Sequence, residues 1–252
     1  MPGARPRVGG AVLAGGGSRR MGRDKAGIEV AGATLLQRAR AAVAAALDPA
    51  APGAHRSGAA RSGAARSGAA APGPTAPIVA VGSPGGPRAG SWIADLRPGA
   101  GPLAGLEAAL AWADAEGLEA VLLVGVDHPW LEPAVLRLLV DRLLADRLLA
   151  SGDEPAGAPH ASPADAVVLG TDDGPQPLLG AYRTRALPLV AGLLDRDERR
   201  LQALRHALHL DVVAPADWRH LDPRGATAVD VDDPAALEAA RRDLGSGERP
   251  AG

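Results

Sequence analysis

The sequence predicts an α/β fold with three layers, helices on both faces of a mostly parallel sheet. Two observations carry this expectation. Short apolar runs alternate with longer helical segments almost from end to end. The most apolar run, residues 120–126 (AVLLVGV), is continuous rather than alternating, as a central parallel strand covered on both faces must be.

Taken in order, Val8–Leu13 reads as a first buried strand. Thr34 can cap a helix over Leu35–Leu47, which Asp48-Pro49 closes. Strands are expected at 77–81 and 92–95, then a Leu- and Ala-rich helix over Pro102–Ala115. After the central strand come a helix at 132–149, strands at 165–170 and 177–182, and helices at 184–194 and 198–208. Short strands at 212–213 and 226–231 and a final helix at 234–243 complete the series. The stretch RSGAARSGAARSGAA, residues 56–70, repeats one five-residue unit and offers no apolar surface to bury, so it reads as a disordered loop. Residues 151–164 form a second Pro/Gly/Ser-rich loop. A single domain over 1–244 is therefore expected, with insertions at 50–76 and 151–164 and a flexible tail at 245–252.

Composition narrows the chemistry. With 252 residues the chain can bury a full core, yet it has no Phe and one Tyr, so that core must be Ala, Val and Leu. A net charge of −2 gives no general attraction to nucleic acid or an anionic membrane, so any anion site must be local. The absence of cysteine excludes disulfides, thiol catalysis and Cys-zinc sites, and agrees with a cytoplasmic setting. Arg5 and Arg7 precede an apolar run too interrupted by glycine for a cleaved signal to be expected, and no stretch approaches the ~20 apolar residues of a membrane span.

The first apolar run breaks into AVLAGGGSRRMGRDKA, residues 11–26. Glycines at 15, 16, 17 and 22 allow a ligand close to backbone N–H groups, while Arg19, Arg20, Arg23 and Lys25 supply positive charge against a polyphosphate. No Gly-Lys-Ser/Thr closes the loop, and Arg20 stands where a G-x-G-x-x-G pattern needs glycine, so neither a Walker A loop nor a dinucleotide-binding oxidoreductase fits. At the carboxyl end of the central run, in VGVDHPWL, Asp127 is placed either to cap the next helix or to ligate a hard cation such as Mg²⁺ together with phosphate oxygens. Asp95, ahead of GPLAG at 101–105, is a turn residue or a ligand contact; the helix start behind it can face an anion or a base. In AVDVDDP, residues 228–234, Asp230 and Asp232 lie two apart on an expected strand and project to one face, with Asp233 placed to cap the following helix. Arg199 and Arg200 lie on an expected helix face, and Asp172-Asp173 on a turn. His206 and His209 are read as surface residues rather than metal ligands.

LAGGGSRRMGRDKA, residues 13–26, resembles the signature loop of the nucleotidyltransferase family that includes molybdenum cofactor guanylyltransferase. Asp24-Lys25 matches the guanylyltransferase branch better than relatives with Pro-Lys there. Asp127, Pro129 and Trp130 resemble the family's second motif, and GPLAG a third. The resemblance implies a Rossmann-like nucleotidyltransferase fold. It also implies that Leu13, Ala14, Gly15, Gly16, Lys25, Asp95 and Asp127 contact the nucleotide. Catalysis would fall to Arg19, Arg20, Lys25 and Asp127, with Asp127 holding Mg²⁺. Arg199, Arg200, Asp230 and Asp232 would serve the second substrate. The implied reaction transfers GMP from GTP to molybdopterin-bound molybdenum and releases pyrophosphate, with a molybdoenzyme or cofactor-insertion protein as eventual partner. Three departures stand out: Gln176 precedes Pro177 where relatives often carry His, Val81 or Gly82 lies where they often carry Asn, and Asp233 replaces Thr. Cytidylyl transfer to the same cofactor, nucleotidyl transfer to a sugar phosphate or phospholactate, and a non-catalytic nucleotide-binding or cofactor-delivery module remain alternatives.

Overall fold

The computed structural model describes residues 7–15, 25–49, 76–82, 90–150 and 163–245. The repeat at 56–70, most of the second loop, loop residues 16–24 and the tail from 246 lie outside these ranges. In chain order the strands are β1 (Val8–Leu13), β2 (Glu29–Val30), β3 (Ala33–Thr34), β4 (Ile78–Val81), β5 (Ser91–Ile93), β6 (Ala120–Gly125), β7 (Ala166–Thr171), β8 (Gly174–Arg183) and β9 (Leu210–Val213). The α-helices are α1 (Leu35–Leu47), α2 (Pro102–Ala115), α3 (Pro133–Ala150), α4 (Leu187–Asp195), α5 (Leu204–Ala207), α6 (Pro215–Trp218) and α7 (Pro234–Gly245).

Seven strands form one sheet in the order β5-β4-β1-β6-β8-β7-β9. Only β8 runs antiparallel to its neighbours; the others are parallel to β1. The alternation of strand side chains divides the core. Val12, Leu122 and Val124 pack toward α1, α3 and α7, whereas Ala11, Leu13, Val121 and Leu123 pack toward α2, α4 and α5. Both faces are apolar because both are covered, which is why residues 120–126 carry no polar alternation.

The start of α1 follows from its sequence. Thr34 Oγ1 accepts from the Gln37 N–H while the Gln37 side chain accepts from the Thr34 N–H, a reciprocal cap that contributes about 1 kcal/mol. Pro102 opens α2, where its missing N–H costs nothing.

Two expected elements are different. Residues 226–231 are not a strand. Gly225, at φ 67°, launches a 3₁₀ turn over Ala226–Ala228, and the buried Asp222 carboxylate fixes it by accepting from both N–H and Oγ1 of Thr227 at 2.7 Å. Residues 198–200 are not helical either. Asp197 takes φ 60°, and the Glu198 carboxylate accepts from the N–H groups of Arg199 and Arg200, a local turn that competes with helix. Helical structure begins only with a 3₁₀ turn at Leu201–Ala203. The β2–β3 ribbon, turned by positive-φ Ala31 and Gly32, and the one-turn α6 were not expected from sequence.

A candidate nucleotide and cation site at the carboxyl edge of the sheet

Because β1, β4, β5 and β6 are parallel, the segments that follow them emerge along one edge. That edge brings together the stub of the glycine loop, Gly82, Asp95 and Asp127. Gly15 and Gly82 meet backbone to backbone: a Cβ on Gly82, at φ 129°, would sit 2.7 Å from the Gly15 backbone. Ala14 and Gly15 both donate their N–H groups to the Val81 carbonyl, and Gly82 donates to Ile93. An Asn at 82 would clash with this contact, so the departure noted above is built into the loop packing. The Asp95 carboxylate lies beside Gly15, with Oδ2 3.7 Å from where a Gly15 Cβ would stand. Its Oδ1 is buried without a hydrogen-bond partner, and burial pushes its pKa up. Leu13 closes β1 and packs against α2 at Gly105, so its side chain belongs to the core.

Lys25 opens a 3₁₀ turn, Lys25–Gly27, and sends its ammonium across to the later motifs. Nζ lies 2.6 Å from Asp232 Oδ1 and 3.6 Å from Asp127 Oδ2. The Val231 N–H donates to the Asp127 carbonyl at 2.8 Å, which stitches the extended stretch after Ala228 to the end of β6. Val231 is fully buried while Asp230 and Asp232 face outward, so the expected alternation holds without a strand partner. Asp127 Oδ1 is buried and accepts no hydrogen bond; the Nε2 atom of buried His128 is 3.8 Å away. Partial burial raises the Asp230 pKa, and the carboxylates of Asp232 and Asp127 add to the rise, while His128 and Lys25 oppose it.

Two carboxylates on one ammonium, with Asp230 beside them and an orphaned carboxylate oxygen on Asp127, form a hard oxygen donor set. That set fits Mg²⁺, which takes one or two carboxylates and fills its remaining positions with phosphate oxygens and water. Among the described residues no cluster of three or more His, Cys, Asp or Glu side chains is arranged to enclose a metal by itself. A cation held here would take its remaining positions from phosphate oxygens or water.

Arg199 and Arg200 reach the same edge, in a loop rather than on a helix. The Arg199 carbonyl oxygen is 3.7 Å from where a Cβ on Gly101 would stand, at the start of α2. Both guanidiniums are paired locally, Arg199 with Asp197 and Arg200 with Glu198. Sequence reasoning passed over the clamp that holds this region. Arg97 makes a bidentate pair with the buried Glu107 of α2 and a 2.7 Å pair with Asp195 at the end of α4. A lone Glu in the apolar run PLAGLEAAL was the available signal, since a buried carboxylate demands a cation. Asp172 and Asp173 form the β7–β8 turn, as expected, and Asp172 pairs with Arg219. Gly16, Arg19 and Arg20 lie outside the described residues.

The edge thus has features that suit an α/β nucleotide-handling enzyme: two glycines packed backbone to backbone, one placed lysine and a cluster of carboxylates. A family model described as the MobA-like NTP transferase domain matches residues 10–212. A molybdenum cofactor guanylyltransferase of Rhodobacter capsulatus is 31% identical over 202 residues, 79% of this chain and 80% of that protein. A probable molybdenum cofactor guanylyltransferase of Opitutus terrae is 33% identical, over 79% of this chain and 78% of its own length. The crystal structure of molybdopterin-guanine dinucleotide biosynthesis protein A from Archaeoglobus fulgidus shares the fold, with TM-score 0.61 at 20% identity over 94% of this chain and 98% of that one. The chain belongs to the MobA-like NTP transferase family and is a nucleotidyltransferase with that family's Rossmann-like fold. Among the described residues no helix is long and apolar enough to cross a membrane.

Proposed function

We propose that the protein transfers GMP from GTP to the terminal phosphate of molybdopterin-bound molybdenum, with release of pyrophosphate. The observation that carries this reading is the meeting of Lys25, Asp127 and Asp232 at the carboxyl edge, in a chain whose relatives of similar length are named guanylyltransferases. The attacking phosphate is already an anion, so no general base is needed; the difficulty is anion approaching anion. Lys25 offsets charge on the phosphates as pyrophosphate leaves, aided by Arg19 or Arg20 and the loop amides from Gly16 onward, since the Gly15 N–H is held by the Val81 carbonyl. Asp127, with Asp230 or Asp232 beside it, would hold Mg²⁺, which when bound supplies charge neutralisation to the phosphate oxygens. Leu13 and Ala14 line the nucleotide crevice through their backbone, and Asp95, next to Gly15, contacts the guanine. Asp230 and Asp232 are anions and act on the acceptor phosphate only through a cation. Arg199 and Arg200 meet it directly if their local acids release them.

The test is calorimetric titration of GTP, CTP, ATP and UTP with Mg²⁺. The expected outcome is preferential, Mg²⁺-dependent binding of GTP. A preference for CTP would move the protein to cytidylyl transfer, and binding of none of the four would sink the enzymatic reading of this site.

A further inference from the structure

The segment after β5 carries Asp95 to its place beside Gly15, yet it has little apolar surface to hold it there. Leu96 is 59% exposed, and Gly99 and Gly101 both take positive φ, at 81° and 80°. Arg97 reaches back into the fold instead. Its Nε and Nη2 donate to the two carboxylate oxygens of Glu107 at 3.0 Å each, and Nη2 also lies 2.7 Å from Asp195 Oδ1. We propose that Arg97 is the positioning residue for guanine recognition: gripped from α2 by Glu107 and from the end of α4 by Asp195, it holds Asp95 where its carboxylate meets the edge of the base. The inference rests on the guanylyl reading above and names what makes the base contact selective.

The contacts close into a circuit. Gly105 of α2 packs so tightly on Leu13 that a Cβ there would sit 2.9 Å from Leu13 Cδ2, which seats α2 on β1. Glu107, two residues further along α2, is 4% exposed and takes the fork of Arg97. Arg97 lies two residues after Asp95, and Asp95 returns to Gly15, two residues past Leu13. The Arg97 carbonyl also accepts from the Ala100 N–H at 3.1 Å, so the same residue fixes the turn that leads into α2. As a source of stability the pair is a poor choice, since an apolar residue at 107 would fill the space with no carboxylate to desolvate. What the ion pair adds is direction. A planar guanidinium engages both oxygens of one acid and still turns an N–H toward a second, whereas an ammonium is a point charge without that geometry. Direction matters because a carboxylate selects guanine by accepting from N1–H and the 2-amino group together, an alignment that a displacement of about 1 Å spoils.

The experiment measures the affinities of GTP and of inosine triphosphate, which lacks only the 2-amino group, for wild type, Arg97→Lys, the paired variant Arg97→Met with Glu107→Leu, and Arg142→Lys. Arg142 is the control: it likewise meets two acids, Asp211 and Asp217, beside β9 at the opposite edge of the sheet from β5. Wild type should prefer GTP. In Arg97→Lys that preference should fall by about 5-fold or more, with a smaller loss for inosine triphosphate than for GTP. The paired variant removes both charges at once and leaves no unpaired acid buried in α2, so it should keep the wild-type Tm within about 3 °C and still lose the preference. Arg142→Lys should leave the preference at the wild-type value. An unchanged preference in a folded Arg97 variant, equal losses for the two nucleotides, or the same fall in Arg142→Lys would make the clamp structural alone and overturn the positioning role, with nucleotide binding intact. Equal binding of the two nucleotides by wild type removes guanine recognition from Asp95 and the positioning role with it, while binding of neither overturns the functional reading itself. Should Arg97→Lys fail to fold, the paired variant carries the comparison.

Discussion

A carboxylate that is buried without a partner destabilises the fold that holds it. Asp95 is half-buried with its Oδ1 so placed, and the direction of its pKa shift gives the pH dependence. Between the ordinary aspartate value and the raised one, the folded state binds more protons than the unfolded state. Stability therefore falls as pH rises through that window, and the full deficit persists above it. Asp95→Asn cannot ionise and should be more stable than wild type at neutral pH, by less than about 1 kcal/mol because the half-exposed carboxylate is screened by solvent, or up to roughly 2 °C in a chain of this size. Thermal melts from pH 3 to 8 should show the gain disappear at the acid end, where the wild-type carboxyl is also protonated. GTP affinity should fall in the same variant, a trade expected where a binding group is kept at the expense of stability. The partner of Lys25, by contrast, was not readable from the sequence. Each motif announces its own chemistry, but Lys25 and Asp232 are 207 positions apart and no spacing rule connects them.

The element that presents Asp230 and Asp232 depends on one buried carboxylate. Asp222 accepts from Thr227 twice, and Thr227 Oγ1 in turn accepts from the Glu132 N–H just before α3. The chain of bonds sets the 226–232 segment against the β6–α3 connection, where Val231 then reaches Asp127. Asp222→Ala should cost about 2–3 kcal/mol, seen as a drop of about 5–10 °C in Tm, because two donors lose a charged acceptor. Asp222→Asn, which keeps an acceptor, should fall between. The same network explains why this segment was misread. Its alternating Val and Asp look like a strand, and the outward-facing aspartates obey that alternation, but the turn at Gly225–Thr227 is held by a residue several positions upstream that pattern reasoning ignores. Where the decisive signal is local the reading succeeds: Thr34 and Gln37 define the start of α1, and Pro102 that of α2. At 198–200 the local signal was present, in a Glu placed to accept from the next two N–H groups, but helical composition outweighed it.

At the scale of the molecule, the layered sheet was legible because alternating strands and helices admit few arrangements. The reversed strand β8, set between β6 and β7, was not, since a buried antiparallel strand and a buried parallel one have the same apolar composition. Sheet and helices also anchor the ends of the long connection before β4. Arg137 of α3 donates to the carbonyls of Ala45 and Asp48 at the end of α1, and Ile78 pairs with Gly10. Deleting residues 56–70 shortens that connection by about half, which changes loop closure by only about 0.6 kcal/mol. The deletion variant should keep the wild-type Tm within about 2 °C and retain its GTP affinity. Lys25 pairs with a residue 207 positions further on, and this bears on the order in which the two partners are made. Translation delivers every strand of the sheet by Val213, and the glycine loop, Lys25, Asp95 and Asp127 with them, while Asp230 and Asp232 are still to be synthesised. A growing chain at that stage has only Asp127 of the three carboxylates, so the synthesis of residues 230–232 decides when the proposed site becomes whole.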